Sequence, residues 1–499
     1  MDRRRFLGLT IGSLVVAGCG GGGSGGNSGG GAVASSSSSV AASPELQALA
    51  SQMTGKLIKP SDADYTSARL VFNTRFDSIL PQAVARCANE ADVIAVLAHA
   101  QKYNVPITPR SGGHGYAGYS TTTGIVIDVS PMNSITLGTG TATIGAGAKL
   151  VDVYDQLTAK GVAIPTGSCT SVGIAGITQG GGIGIVDRAY GLTCDNLLSV
   201  DIVTADGKKI TCSDALEPDL FWALRGGGGG NFGVVTSFTF KTHPTSDITT
   251  LEAYFDFNDL EKVMAIWQTL PVTLPDNIWA QAIISWMDSN PIIQIRGFCV
   301  GSQADAAPHW NKFLADVQST PVSPATSTTA SYRQTMLGNC GNAPAACRTG
   351  QRNGFAASSD FFDTVVPVEG IRALKKFIFD GRATNRGMII LDLMGGAIDN
   401  FQPTDTAFIH RNAIFSAEYY TYFIGATTAV IDDAQVWEHS FRTLMKPWSS
   451  GLAYVNYIDP LITDWKTAYY GENYVRLSQV KAKYDPNWLF KMPQGIQPA

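Results

Sequence analysis

Arg110–Ser111–Gly112–Gly113–His114–Gly115 and Pro165–Thr166–Gly167–Ser168–Cys169–Thr170–Ser171–Val172–Gly173 are the two stretches on which the reading of this chain turns. Each sets a chemically capable side chain, an imidazole or a thiol, within a run of glycine and serine. Glycine lets backbone approach a ligand closely and aim successive N–H groups at an anion. The clusters 112–118, 173–184 and 226–233 all fall within a short span that is poor in lysine. Three such loops favour a large phosphorylated cofactor held by backbone rather than by charge. A strand–GxGxxG–helix dinucleotide fingerprint is the competing reading. Gly180–Gly181–Gly182–Ile183–Gly184 lacks its flanking strand, helix and spaced acid, so that reading is poor. For His114 and Cys169 taken alone, a solvent-facing loop imidazole and a buried structural thiol remain open.

Outward from these loops, Val93, Val96, Leu97 and Ala100 repeat at helical spacing and predict a helix near 91–103. Strands are predicted at Val105–Pro109, Ile125–Val129 and Thr141–Ala146, with a helix near 149–159. Asp206–Gly207 between Val200–Ala205 and Lys208–Thr211 predicts a tight hairpin. Together they predict an α+β nucleotide-binding lobe over 44–245. Residues 246–450 change to aromatic-rich alternating runs such as Ile292–Val300 and Met388–Met394, with helices near 259–270 and 369–378. These predict a second lobe on a large antiparallel sheet covered by helices. The segment 451–499 is expected to return to the first lobe.

Before the lobes, Arg3–Arg4–Arg5 and an apolar run ending Val16–Ala17–Gly18–Cys19 make residues 1–19 an export leader. It resembles a twin-arginine signal closed by a lipobox, which predicts lipidation at Cys19, a membrane held only through that anchor, and an exported, periplasmic or cell-surface location. Residues 20–43, nearly all Gly, Ser and Ala, read as a flexible tether. Charged residues are only 15% of the chain and the net charge is −5. Losing the leader's one acid and three arginines leaves about −7, and no basic face marks a nucleic-acid partner. Of eight cysteines, Cys340 and Cys347 bracket a Gly/Asn/Pro loop and form the most plausible disulfide. Cys87, Cys194, Cys212 and Cys299 suggest no pairing, and no CxxC or His-rich cluster suggests a metal.

The two opening stretches, with Phe221–Gly226, Asn231–Thr236, Tyr454–Val455–Asn456–Tyr457, Tyr484–Asp485–Pro486 and Gln494–Gly495–Ile496, resemble in order the berberine bridge enzyme-like oxidases. That family belongs to the vanillyl-alcohol-oxidase, or PCMH-type, FAD-binding fold. The resemblance implies FAD bonded to both His114 and Cys169. It implies cofactor contacts at Arg110, Ser111, Gly112, Gly113, Gly115, Val172, Gly173, Gly176, Val235 and Asn456. It also implies a catalytic tyrosine at Tyr457, and at Asp392 a substrate-facing residue able to accept a hydrogen bond from Tyr457 or bind a substrate hydroxyl. Ile177 and Ile183 stand where the family usually has histidine and tyrosine. Val172 leaves room for oxygen at the flavin. The implied activity is oxidation of a small-molecule alcohol, a sugar hemiacetal or a hydroxylated natural product, with oxygen as acceptor. The alternatives are a dehydrogenase passing electrons to a quinone or protein, and a lipid-anchored binding protein without turnover.

Overall fold

The computed structural model describes residues 44–287, 290–340, 344–348 and 350–499; the leader, Cys19 and the 20–43 tether lie outside them. The first sheet has the order β1 (Lys56–Ile58), β2 (Ala83–Arg86), β4 (Ile125–Asp128), β3 (Ile107–Arg110). Its β2, β4 and β3 run parallel. The crossover from β2 to β3 is the helix Glu90–Tyr103, buried through Val93, Val96, Leu97 and Ala100. The Asn89 side chain caps its start by accepting from Asp92 N, and Asn104 at φ +51° closes it. β3 begins two residues later than the apolar run suggests, at Ile107, beyond Pro106, which has no N–H to give a ladder.

The second sheet orders β5 (Ile135–Gly138), β6 (Thr141–Gly145), β10 (Val234–Lys241), β8 (Leu197–Val203) and β9 (Lys209–Cys212). A two-stranded ribbon pairs β7 (Val162–Ala163) with β11 (His243–Pro244). The Asp206–Gly207 hairpin is present, with Val203 opposite Lys209, so its loop is longer than two residues. Thr204 accounts for this: its hydroxyl bonds Asp206 and its N–H bonds Lys208 O, closing the turn outside the ladder.

The second lobe is a seven-stranded antiparallel sheet. Its order is β15 (Thr326–Ser331), β12 (Asp247–Asp256), β14 (Ile292–Val300), β13 (Ile278–Ser285), β17 (Met388–Leu393), β18 (Phe415–Phe423) and β16 (Gly354–Phe362). Helices cover one face: Trp267 packs on Phe415, Phe313 on Phe255 and Phe441 on Tyr419. Side chains alternate across a strand, so Ser416, Glu418 and Tyr420 point the other way, toward the first lobe. The helix near 259–270 is two pieces, Leu260–Trp267 and Leu270–Thr273, the break falling before Pro271. Cys340 and Cys347 are joined, with Cα atoms 5.7 Å apart.

Two ties fix the lobes. Arg188, 1% exposed, donates to the carbonyls of Leu274, Ile278 and Met394. Asn73 exchanges hydrogen bonds with the backbone of Phe355 on β16. The C-terminal segment lies on the first lobe, where Lys481 donates to Asn231 O and Ile496 N–H donates to the Asn231 side chain. No helix of the described residues is long and apolar enough to cross a membrane.

Candidate active site

A cavity of about 290 Å³ runs between the lobes, walled by all three glycine clusters, by the 455–458 turn and by Phe355, Glu418 and Tyr420 of the second-lobe sheet. The first two loops press backbone to backbone. A Cβ on Gly112 would lie 2.2 Å from Gly173 N, and one on Gly173 would lie 2.2 Å from Gly112 N. No side chain fits at either position. Gly113 adds a positive φ of +73°. Arg110 pins this loop from behind, with its guanidinium on Asp128 at 3.0 Å and on Ala68 O at 2.6 Å, while Ser111 donates to Ala146 O. The third loop takes positive φ at Gly226, Gly228, Gly230 and Gly233 and is held by the Asn231 amide on the carbonyls of Gly227 and Gly228. This is a cradle of bare backbone, which suits the phosphates and ribose of a dinucleotide.

His114 and Cys169 meet at one end of the cavity through Ser171. The Ser171 hydroxyl lies 3.1 Å from His114 Nε2 and 3.7 Å from Cys169 Sγ. The imidazole stacks on Phe72 at 4.0 Å. Burial, then the nearby Lys149, push its pKa down to about 3, so the ring is neutral at ordinary pH. Every residue implied as a cofactor contact lines the cavity: Arg110, Ser111, Gly112, Gly113, His114, Gly115, Cys169, Val172, Gly173, Gly176, Val235 and Asn456.

At the second-lobe wall the residues arrange differently from the reading of the sequence. Tyr457 lines the cavity, its ring stacked on Tyr116 at 5.3 Å and set edge-on to Tyr454 at 4.9 Å. The carboxyl beside it is Glu418, which accepts a hydrogen bond from Tyr116 OH at 2.8 Å. Asp392 is not at the cavity wall; it sits on β17, a strand away, and takes the Gln281 amide at 2.8 Å. Burial raises Asp392 to about 6 and Glu418 to about 8. Burial, then Glu418, hold the Tyr457 phenol well above its usual pKa. Ile183 packs among Leu192, Met394, Phe408 and Tyr454, so the two isoleucines make an apolar wall. Asn456 donates to Ile177 O and to Tyr454 OH, binding the 177–182 loop to the C-terminal turn.

Glu418 and Tyr116 escape a reading of the sequence. β18 is buried along most of its length, without the alternation that marks an inward face, and the two partners are 302 residues apart.

A family model described as an FAD binding domain matches residues 81–213, and one described as berberine and berberine like matches 453–497. An FAD-linked oxidoreductase of Bacillus subtilis (strain 168), YgaK, is 33% identical over 90% of this chain and 98% of its own. Chitooligosaccharide oxidase of Gibberella zeae is 29% identical over 88% of this chain and 92% of its own. The solved structure of Physcomitrella patens BBE-like 1 superposes with a TM-score of 0.84 at 28% identity, covering 91% of this chain and 99% of that one. Two of the cradle's three glycine loops lie in the first matched region, and the second matched region belongs to the C-terminal segment that closes it. The chain belongs to the berberine bridge enzyme-like family of FAD-linked oxidoreductases, built on the PCMH-type fold.

Proposed function

We propose that this oxidoreductase oxidises an alcohol carbon of a small molecule, a sugar hemiacetal foremost, with FAD attached at both His114 and Cys169. The single observation that carries the reading is Glu418: a buried carboxyl at the cavity wall, raised to about 8, hydrogen-bonded by Tyr116 and beside Tyr457. Bound in the cradle, FAD supplies the two-electron acceptor. The protein must then take the hydroxyl proton. Tyr457 cannot readily serve as a phenolate, because burial and Glu418 both oppose its ionisation. Glu418 has a pKa suited to a base near neutral pH, and Tyr116 holds its carboxylate by donating to it. Tyr457, stacked on Tyr116, keeps that donor in place, and the Ile177–Ile183 wall keeps water from competing for the same proton.

His114, neutral and aligned by Phe72 and Ser171, offers a ring nitrogen for attachment. Oxygen as acceptor is supported by the modest bulk of Val172 at the cavity wall. The relative named for chitooligosaccharide oxidation supports a sugar as reductant. Export and a lipid anchor at Cys19 complete the proposal. Cys19→Ala is expected to move the protein from the membrane fraction to the soluble one.

The deciding experiment is mass analysis of a digest of the yellow protein, with His114→Ala and Cys169→Ala beside it. Each change is expected to remove one attachment and leave the other. Flavin released whole by acid precipitation of the wild type overturns the double bond to the protein. Peroxide is then measured during turnover, and a protein reduced by alcohols that yields none in air belongs with the dehydrogenases.

A further inference from the structure

Ser111 and Ser171 belong to the two glycine loops that press together, and they spend their hydroxyls differently. Ser111 Oγ donates to a backbone carbonyl, Ala146 O. Ser171, 1% exposed, turns its hydroxyl to two side chains able to react, His114 Nε2 at 3.1 Å and Cys169 Sγ at 3.7 Å. Its backbone cannot drift from them. Val151 N–H holds Thr170 O, Leu150 N–H holds Val172 O, and Val172 N–H closes a turn on Cys169 O. From the other side the segment before β16 passes over it as bare backbone. A Cβ on Gly350, at φ +61°, would lie 2.9 Å from Ser171 Oγ and 3.3 Å from Phe72 Cε2. The His114 ring is stacked on that same Phe72.

A hydroxyl has one hydrogen and two lone pairs, so it can accept from one neighbour while it donates to another. Accepting from His114 keeps the ring's hydrogen on Nε2 and leaves the lone pair on Nδ1. Donating to Cys169 Sγ favours the thiolate over the thiol, and the thiolate is the nucleophile. One side chain thus readies both an imidazole and a thiol.

We infer that Ser171 is the positioning residue for attachment of the cofactor at both His114 and Cys169. The inference rests on the two-bond reading above and names the group that prepares the bonds. Each attachment exchanges a C–H bond of the flavin for C–N or C–S. The imidazole or thiol loses its hydrogen as a proton and supplies the bonding pair. The flavin carbon loses its hydrogen as a proton and leaves two electrons on the ring. Oxygen takes both electrons and both protons and departs as hydrogen peroxide. The proton that comes from the protein leaves an atom that Ser171 touches, Nε2 in one case and Sγ in the other. Alanine at 171 removes this hydroxyl and leaves the backbone of the cradle as it is, so the cofactor still binds and bonds slowly.

The test uses the flavin-loaded protein, sampled at intervals after its synthesis is induced. Absorbance gives the total flavin per chain, and mass analysis of a digest gives the share bonded at His114 and at Cys169 separately. Ser171→Ala is expected to carry the wild-type amount of flavin but to form both bonds about tenfold more slowly, the loss of one hydrogen bond. Ser171→Thr, which keeps the hydroxyl, is expected to bond at the wild-type rate. Equal rates in the wild type and Ser171→Ala overturn the assignment and leave the two-bond reading standing. So do slowing at one residue alone, a Ser171→Thr as slow as the alanine variant, and a Ser171→Ala whose total flavin falls in step with its bonds. A wild type that holds no bonded flavin at any time overturns both.

Discussion

Glu418 sits where three demands meet: it must be dry enough to have a raised pKa, open enough to reach a substrate, and hydrogen-bonded enough to keep its position. Burial supplies the first, the cavity the second, and Tyr116 the third. Glu418→Gln preserves shape and removes basicity, so kcat is expected to fall by about 10² to 10⁴. In the wild type only the ionised carboxyl accepts the proton. kcat/KM should therefore rise with pH through about 8 and level off above it, and the variant should lose that limb. A steady-state pH profile of both proteins checks this, and an unchanged limb in the variant moves the base elsewhere. Tyr116→Phe deletes a donor to the same carboxylate. It is expected to shift the limb upward, because the carboxylate loses a hydrogen bond that favours its charged form.

Glycine loops, strands and the turns between them divide sharply in how far they can be read without coordinates. His114 and Cys169 are legible because their loops are local: the glycines that admit a ligand lie next to the residues that would hold it. Glycine's role also carries a direct consequence. Gly173→Ala places a methyl 2.2 Å from Gly112 N, and neither loop can retreat, since Leu150 N–H holds Val172 O and Ile174 N–H holds Ala148 O. The substitution is expected to cost about 1–3 kcal/mol and to lower flavin content, measured by absorbance per protein and by thermal unfolding. Helix Glu90–Tyr103 and strand β6 are legible for a similar reason, since each declares its period within its own length. β13, β16 and β18 do not: their residues are buried on both faces, between helices and the first lobe. Asp392 was legible as a carboxyl near the site, but strand order, which decides that Glu418 and not Asp392 meets Tyr457, arises only when β17 and β18 pair.

Across the whole molecule, buried acids set how stability responds to pH. Glu418 is raised to about 8 and Asp360 to about 7, while Glu438, with both oxygens lacking a partner, is held well above its usual value. A carboxyl whose folded pKa exceeds its unfolded one stabilises the fold at low pH and withdraws that support as pH rises toward the folded value. His114, His243 and His410 are shifted the other way; their unfolded forms are still losing protons near pH 6.5, which opposes the acids there, and above about pH 7 they are largely neutral in both states and the acids set the slope. The melting temperature is expected to fall between about pH 7 and 8, with Glu418 alone contributing roughly 1 kcal/mol. Glu438→Gln should flatten the fall, and a melting temperature that rises over this window refutes the assignment. The buried Lys481–Asp485 pair, which seats the chain's last segment on Asn231, bears on timing. The first lobe alone lacks the wall that segment provides, so a flavin is caged only once residues 451–499 have folded back onto it, and capture of the pigment is the last act of folding rather than the first.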